Sequence, residues 1–309
     1  MAKIVVAVGG NALGNNPEEQ KEIVKITAKN LVDIIEAKHN LIVVHGNGPQ
    51  VGMINQAFSI ANANDINSPI VDFPECGSMS QGYIGYHLQN AIINELKNRK
   101  LNNDVSTIIT QTIVDKNDQA FKNPTKPIGM FYSKVEADKL INEKQWQMKD
   151  DSGRGWRRVI ASPKPTDIVE KNIISLLMKE NVTVIAAGGG GIPVYQENNN
   201  YYGVAAVIDK DFAAAKIAEI INADKLIILT AVDKVMINYG KTNQMALDKI
   251  NSAEIREYIN DNQFGEGSML PKIQAAVSFI NNGGKESIIG SLKKSEKVIK
   301  GLSGTIIYK

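Results

Sequence analysis

Short apolar runs of strand length, separated by segments with helical periodicity, constrain the fold of this chain more than any other feature. The runs occupy residues 3–8, 41–45, 105–110, 182–186, 226–230 and 287–289. Between them, residues 23–35 and 270–280 each place apolar side chains on one helical face. Strands that are apolar on both sides are typical of a parallel sheet covered by helices on both faces. The pattern predicts a three-layer α/β/α sandwich around a mainly parallel open sheet.

One segment, residues 123–162, interrupts this alternation. It has prolines at or near both edges, contains both tryptophans and carries a polar Gly-Arg-Gly stretch at residues 153–155. These features do not fit another strand–helix unit. We therefore expect a single domain over residues 1–309, with a small protruding subdomain inserted near residues 115–165.

Composition and charge exclude several classes of protein. The 35 Lys and Arg residues are interleaved with 33 Asp and Glu, and the net charge of +2 does not indicate a nucleic-acid partner. The longest apolar stretches, such as residues 226–232, are too short to span a bilayer. One cysteine, Cys76, fits a reducing compartment, and three scattered histidines argue against a zinc site. We expect a cytoplasmic protein without a nucleic-acid or membrane partner.

Glycine-rich turns follow four of the predicted strands, at residues 9–11, 46–48, 188–191 and 265–267. Loops at the carboxyl ends of parallel strands face one crevice, and glycines there let backbone N–H groups approach a phosphate. A single turn of this kind is more often a tight connection, but several at one edge predict a phosphate site. The common nucleotide motifs are absent: Val51 stands where a Rossmann motif needs glycine, and Val235 replaces the first glycine of a P-loop.

Lysines near these turns suggest phosphoryl transfer, in which cations neutralise the charge of the transferring group. Lys272 lies in the first turn of a predicted helix capped by Ser268, and Lys210 opens another helix beside Asp211. Lys126 lies in a proline-stiffened loop. From the residues alone, Lys272 could equally be a surface lysine. The aspartates beside Lys210 could be ordinary N-caps, and Lys126 could lie in a plain turn.

The chain resembles carbamate kinases, which belong to the amino acid kinase superfamily. The resemblance runs in the same order along essentially the whole chain, through residues 5–13, 45–52, 123–129, 151–158, 162–165, 188–194, 207–213 and 267–272. It implies reversible phosphoryl transfer between ATP and carbamate with Mg²⁺, giving ADP and carbamoyl phosphate. It also implies ATP formation in arginine catabolism and a homodimer. Residues 1–220 would form the acceptor lobe and residues 221–309 the nucleotide lobe.

The resemblance also assigns roles to individual residues. Many members of the superfamily carry a lysine where this chain has Ala7, and in carbamate kinases the lysine corresponding to Lys210 takes that role. Lys210 and Lys272 would flank the transferring group, Asp211 would orient them, and Lys126 would close over the acceptor. The phosphoryl group and carbamate would be bound by Gly9, Gly10, Asn11, Gly46, Asn47, Gly48, Gly189 and Gly190. The nucleotide would be bordered by Thr230, Ala231, Val232, Asp233, Tyr239, Ser268 and Met269.

Two alternatives stay open at this point. One is another small-acid kinase of the same superfamily, although Ala7 disfavours relatives that use a first-strand lysine. The other is a catalytically silent nucleotide-binding module, against which the presence of all three lysines and Asp211 argues. No general base is expected, because carbamate is already an anionic oxygen nucleophile.

Overall fold

An eight-stranded sheet forms the centre of the computed structural model, which describes residues 1–9, 16–65, 67–151 and 153–309. In spatial order its strands are β15 (Lys249–Asn251), β17 (Thr305–Tyr308), β16 (Glu286–Ser291), β12 (Lys225–Thr230), β1 (Lys3–Val8), β2 (Asn40–His45), β9 (Thr183–Ile185) and β3 (Val105–Thr107). Every pairing in this sheet is parallel except that of β16 with β17. The mainly parallel sheet predicted from the apolar runs is confirmed.

Helices cover both faces of this sheet. The helices of the described residues, not all of which lie on this sheet, are α1 (Pro17–Glu36), α2 (Gln50–Asn64), α3 (Phe73–Asn98), α4 (Gln119–Lys122), α5 (Lys134–Lys144), α6 (Lys171–Lys179), α7 (Lys210–Ile220), α8 (Glu254–Asn260), α9 (Met269–Asn281) and α10 (Ser295–Ile299). Successive residues of β1 point to opposite faces: Val5 and Ala7 pack with α7 and α9, whereas Val6 and Val8 pack with α1 and α3. Because both faces of β1 are buried, the α/β/α sandwich follows. No helix in the described part of the chain is long and apolar enough to cross a membrane.

Three smaller sheets complete the fold. A four-stranded sheet contains, in order, β11 (Asn200–Gly203), β10 (Ile192–Glu197), β4 (Gln111–Val114) and β8 (Pro165–Ile168). A three-stranded antiparallel sheet contains β5 (Lys126–Tyr132), β7 (Trp156–Ile160) and β6 (Met148–Asp150), and β13 (Met236–Ile237) pairs with β14 (Met245–Ala246). The three-stranded sheet and α5 form the subdomain. It lies in the chain between β4 and β8, which pair with each other, so it leaves and rejoins the four-stranded sheet at neighbouring strands.

One predicted strand is wrong in extent. The apolar run 105–110 does not form a single strand: β3 ends at Thr107, and the next strand, β4, begins at Gln111 in a different sheet. The side chain of Gln81 makes two hydrogen bonds to the backbone between them, donating to the carbonyl of Thr110 at 3.1 Å and accepting from its N–H at 2.8 Å. The carbonyl of Thr110 also accepts from the N–H of Ile192 in the four-stranded sheet at 2.9 Å, so the chain changes sheets at Thr110 with the Gln81 side chain supporting it.

Local capping fixes where α7 begins. The side chain of Asp209 accepts a hydrogen bond from the N–H of Asp211 at 2.9 Å, which is ordinary N-cap geometry. This cap sets Lys210 and Asp211 in the first turn of the helix. The helix start that the sequence predicts at this point is confirmed.

Candidate active site

A cleft of about 340 Å³ lies between the carboxyl edge of the central sheet and the subdomain. The turn at residues 46–49 after β2, together with the first turns of α2, forms one wall. Residues 126–130 of β5 and Arg157 of β7 form another. Residues 207–210 at the start of α7 and residues 267, 268 and 272 at the start of α9 complete it. With Gly189, six segments that are separate in sequence therefore converge on one opening.

A single buried carboxylate holds two lysines together in this cleft. Asp211 is fully buried; one of its oxygens accepts from Lys210 Nζ at 2.8 Å and the other from Lys272 Nζ at 3.1 Å. The two lysine side chains are only 13% and 18% exposed, although they lie on different helices. One carboxylate balances one of the two ammonium groups, so the pair keeps a surplus positive charge suited to an anion.

The electrostatic surroundings keep Lys210 charged. Burial alone would lower the pKa of Lys210, but the carboxylates of Asp211 and Asp209 outweigh burial and raise it. The ammonium form is therefore the stable one in the cleft. Lys210 is therefore a cation that donates a hydrogen bond to Asp211.

Lys126 approaches the same region from the subdomain. Its Nζ donates to Asp209 Oδ2 at 2.7 Å, while the other carboxylate oxygen of Asp209 caps α7. Burial of Asp209 would raise its pKa, but Lys126 and Lys210 hold the pKa well below its usual range. Asp209 thus joins the subdomain to the first turn of α7. The prediction that Lys126 lies in a loop is wrong: it is the first residue of β5, because residues 126–128 pair with β7.

The glycine-rich turns occupy different positions relative to the cleft. Gly46, Asn47 and Gly48 line it directly, and Gly9 follows β1 at the same edge of the sheet. The predicted residues Gly10 and Asn11 lie outside the described residues. The 46–48 turn therefore borders the cleft, although the N–H of Gly46 itself donates to the carbonyl of Val8 at 3.0 Å.

The turn at residues 188–191 is a packing centre as well as a wall of the cleft. Gly189 lines the cleft, and a Cβ on it would lie 2.1 Å from Asn47 Nδ2. Gly190 is buried, and a Cβ on it would lie 2.2 Å from the carbonyl oxygen of Ile208. Both glycines have positive φ, 67° and 96°. The 188–191 turn can therefore pack closely against two segments. Gly189 contacts the 46–48 turn at Asn47, and Gly190 contacts Ile208, just before α7.

His45, the last residue of β2, packs against the 188–191 turn. Its Nδ1 lies 2.7 Å from the carbonyl oxygen of Gly46, so Nδ1 carries the donated hydrogen. A Cβ on Gly188 would lie 2.4 Å from Nε2 of the same ring. Burial lowers the pKa of His45 to about 4, so the ring is neutral near pH 7.

Folding stability should depend on the protonation of His45. The unfolded chain takes up this proton near pH 6.5 and the folded protein only near pH 4, so stability is full above about pH 6.5 and decreases below it. Lowering the pH from about 7.5 to about 5 should remove roughly 2 kcal/mol of unfolding free energy through this residue. Urea unfolding of the wild type and His45→Gln at both pH values tests this. The variant should lack this part of the pH dependence, and equal pH dependence in both proteins would contradict the assignment.

Most of the residues predicted to border the nucleotide do not line this cleft. Residues 230–233 end β12 and follow it, and Tyr239 is 77% exposed; none of these lines the cleft described above. Ser268 lines it, and Met269 is the first residue of α9.

The expectation that the Ser268 side chain caps α9 is wrong. Ser268 occupies the N-cap position, but its side chain makes no capping hydrogen bond. The carbonyl of Gly265 instead accepts from the N–H groups of residues 268, 269 and 270, at 3.2, 3.2 and 3.1 Å. A backbone turn therefore takes the place of the predicted side-chain cap.

Two charged residues of the site are missing from the sequence prediction. Arg157 lines the cleft from β7, and Asp209 binds Lys126 across it. The signal for Arg157 is the basic run at residues 154–158, but nothing in that run distinguishes its three arginines. Asp209 precedes Lys210 in the sequence, but an ordinary helix N-cap accounts fully for an aspartate at that position.

Similarity to known proteins extends over nearly the whole chain. The amino acid kinase family model matches residues 2–291. The chain is 52% identical to carbamate kinase of Clostridium perfringens, over 99% of this chain and 100% of that protein. It is 51% identical to carbamate kinase-like protein YqeA of Escherichia coli, over 99% of this chain and 98% of that protein.

A solved structure extends the similarity to three dimensions. Carbamate kinase from Giardia lamblia bound to AMP-PNP matches with a TM-score of 0.91 at 41% identity, covering 100% of this chain and 98% of that chain. At this identity and coverage the likeness concerns the whole fold and not a shared motif. The chain belongs to the amino acid kinase family, within its carbamate kinase group.

Proposed function

We propose that this protein catalyses reversible phosphoryl transfer between ATP and carbamate, giving ADP and carbamoyl phosphate. The observation that carries the proposal is the pair of lysines, Lys210 and Lys272, held side by side by the buried carboxylate of Asp211 in the cleft. Relatives named carbamate kinases, about half identical over nearly the whole chain, support the choice of acceptor.

The charges of the cleft suit the chemistry of this reaction. A phosphoryl group passes through a loose transition state whose charge lies on its equatorial oxygens, so catalysis depends mainly on positioning and on preorganised donors. Lys210 and Lys272 supply two such donors, and Asp211 limits their motion. The backbone N–H groups of Asn47 and Gly48 are proposed as further donors, since both residues line the cleft. Carbamate attacks as an anion, so no side chain has to remove a proton.

The two lobes are proposed to receive different substrates, with the nucleotide extending beyond the cleft. The acceptor lies against residues 1–220, with Lys126 closing over it. The nucleotide lies against residues 221–309, bordered by Thr230, Ala231, Val232, Asp233, Tyr239, Ser268 and Met269. Residues 230–233 support this division because they extend from β12 at the same edge of the sheet as the 46–48 turn.

Mg²⁺ is proposed to arrive with the nucleotide. Among the described residues no three His, Cys, Asp or Glu side chains converge to hold a metal ion. The cleft carboxylates Asp209 and Asp211 already accept from lysines. This donor set suits a metal held by the nucleotide phosphates and water, which is a common arrangement for Mg²⁺. The ion would offset phosphate charge when bound.

The cellular setting is also a proposal. We propose a cytoplasmic homodimer that forms ATP from carbamoyl phosphate during arginine catabolism. The single cysteine supports a reducing compartment, and two-fold dimers are the commonest soluble oligomers. Light scattering at several protein concentrations would test the dimer.

A substrate panel tests the choice of acceptor. We would measure ADP formation from ATP and Mg²⁺ with ammonium carbamate, N-acetylglutamate, aspartate and UMP as acceptors. Turnover should depend on carbamate. Robust phosphorylation of a larger acceptor with none of carbamate would favour another kinase of the superfamily. Tight nucleotide binding without any turnover would favour a silent binding module.

The reaction should be insensitive to thiol reagents. A solved structure of the Giardia lamblia enzyme carries a thiocarbamoyl group from disulfiram on one of its cysteines, whereas this chain has only Cys76. Cys76 is fully buried in α3, and burial raises the pKa of its thiol. Disulfiram should therefore leave turnover unchanged. As a control, Met79→Cys introduces a thiol at a 40% exposed position of α3 and should be modified. Rapid labelling of the native wild type, measured by mass spectrometry, would contradict the prediction.

A further inference from the structure

We infer that Arg157, which lines the same cleft as Lys126, Lys210 and Lys272, binds the planar carbamoyl end of the acceptor. The inference rests on the proposed function and extends it to a residue that sets acceptor recognition. It requires a guanidinium that is held in place, keeps unused donors and lies on the acceptor side of the cleft. Arg157 meets each of these conditions.

The subdomain sheet fixes the backbone of Arg157. β7 is the middle strand of that sheet, and Arg157 pairs with Lys149 of β6 while its neighbour Arg158 pairs with Ile128 of β5. The same pairing with β5 sets the position of Lys126. Two cations of the subdomain are therefore brought to the cleft by one rigid element, which favours precise placement of a small ligand.

The side chain of Arg157 is also held. Its Nη1 donates to Asp151 Oδ2 at 3.1 Å, and its guanidinium carbon lies 5.1 Å from the ring centre of Phe131. The side chain is 22% exposed. A guanidinium fixed by a carboxylate and an aromatic ring loses little further freedom when a ligand binds.

Arg157 nevertheless keeps charge and donors to offer. Asp151 divides its carboxylate between two arginines, because its other oxygen accepts from Arg154 Nη2 at 2.9 Å. Arg157 Nε is buried and has no hydrogen-bond partner among the described residues. By contrast, Lys126 is the only side-chain cation within 4 Å of Asp209 among the described residues, at 2.7 Å. Arg157 is therefore the under-compensated cation on the subdomain side of the cleft, as far as the described residues define it.

The chemistry of the acceptor matches this residue. Carbamate presents a planar carboxylate, and the planar fork of a guanidinium can meet its two oxygens at once. Carbamoyl phosphate keeps the carbonyl oxygen as an acceptor for the same guanidinium, while its second oxygen is bonded to phosphorus. A lysine provides only a point charge. Ser268 is the one predicted nucleotide residue that lines this cleft, whereas Arg157 belongs to the same subdomain sheet as Lys126, the lysine proposed to close over the acceptor. This shared element groups Arg157 with the acceptor.

Arg157 and Arg154 provide a matched pair of variants. Both bind Asp151, but only Arg157 lines the cleft. In Arg157→Gln, the KM for carbamoyl phosphate in ATP formation should rise by about 10-fold to 100-fold, on the scale of a lost charge-assisted hydrogen bond, while the KM for ADP stays within about twofold. Arg157→Lys should fall between Arg157→Gln and the wild type. Arg154→Gln should behave as the wild type.

Several outcomes would overturn the inference. An unchanged KM for carbamoyl phosphate in Arg157→Gln excludes the contact, and equal increases in Arg154→Gln would assign the effect to the Asp151 ion pair. If Arg157→Gln does not fold, Arg157→Lys decides by the same comparison. A wild type without turnover would defeat the proposed function instead. In that case thermal stabilisation by carbamoyl phosphate, present in the wild type and Arg154→Gln but lost in Arg157→Gln, would still support the contact, and its retention in Arg157→Gln would exclude it.

Discussion

Replacing either Lys210 or Lys272 with alanine is expected to reduce the turnover of ATP formation by about 10²-fold or more, the scale of a lost transition-state donor. Both lysines bind the buried carboxylate of Asp211, at 2.8 and 3.1 Å. Each alanine variant leaves Asp211 with one lysine, so the buried charge stays compensated and the protein should remain folded. Initial rates together with circular dichroism would measure both properties.

Two further variants make this prediction sharper. Lys285→Ala removes a lysine that is 77% exposed, pairs with Asp224 and does not line the cleft, so it should keep normal turnover. The double variant Lys210→Ala/Lys272→Ala leaves Asp211 buried without either of its lysines. Its loss of stability should exceed the sum of the single losses, because an unpaired buried charge costs about 3–5 kcal/mol. Near-normal turnover in both single variants would show that these two lysines are not catalytic.

Gly190→Ala should be strongly destabilising, although Gly190 does not line the cleft. The new Cβ would lie 2.2 Å from the carbonyl oxygen of Ile208, and the backbone φ of 96° already disfavours a side chain. Strain and overpacking together should reduce the unfolding free energy by about 3–5 kcal/mol. The displaced carbonyl precedes Asp209 and Lys210 directly, so turnover should fall as well.

Gly240→Ala is the matched control for this substitution. Gly240 also has a positive φ, 76°, but a Cβ there would meet no atom within 4 Å. It should therefore show only the backbone strain, about 1–2 kcal/mol, with little effect on turnover. Urea unfolding of both variants separates strain from close packing. Equal destabilisation by the two substitutions would mean that the contact with Ile208 is unimportant.

The layered fold is predictable because its signal is local. Residues 3–8 and 226–230 form strands of the central sheet since each run is apolar on both faces, and the structure buries both faces. The helix start at Asp209 is predictable for the same reason, because capping depends on neighbours two or three residues away. The insertion is detectable because its composition departs from that of the strand–helix units around it.

Features that depend on distant partners are not predictable in the same way. The proline that follows Lys126 favours a loop, yet pairing with β7, about 30 residues later in the chain, makes Lys126 the start of a strand. The run 105–110 has the pattern of one strand because the hydrogen bonds from Gln81 are invisible in the local sequence. Likewise, the sequence cannot tell which arginine of residues 154–158 lines the cleft, since that depends on the docking of the subdomain.

The most direct test of the proposed reaction is ATP formation by the purified protein from ADP, Mg²⁺ and carbamoyl phosphate, followed with a coupled assay. We predict fast, protein-dependent ATP formation that is nearly abolished in Lys272→Ala and unchanged in Lys285→Ala. Absence of ATP formation by a folded protein that demonstrably binds ADP would contradict the proposed reaction.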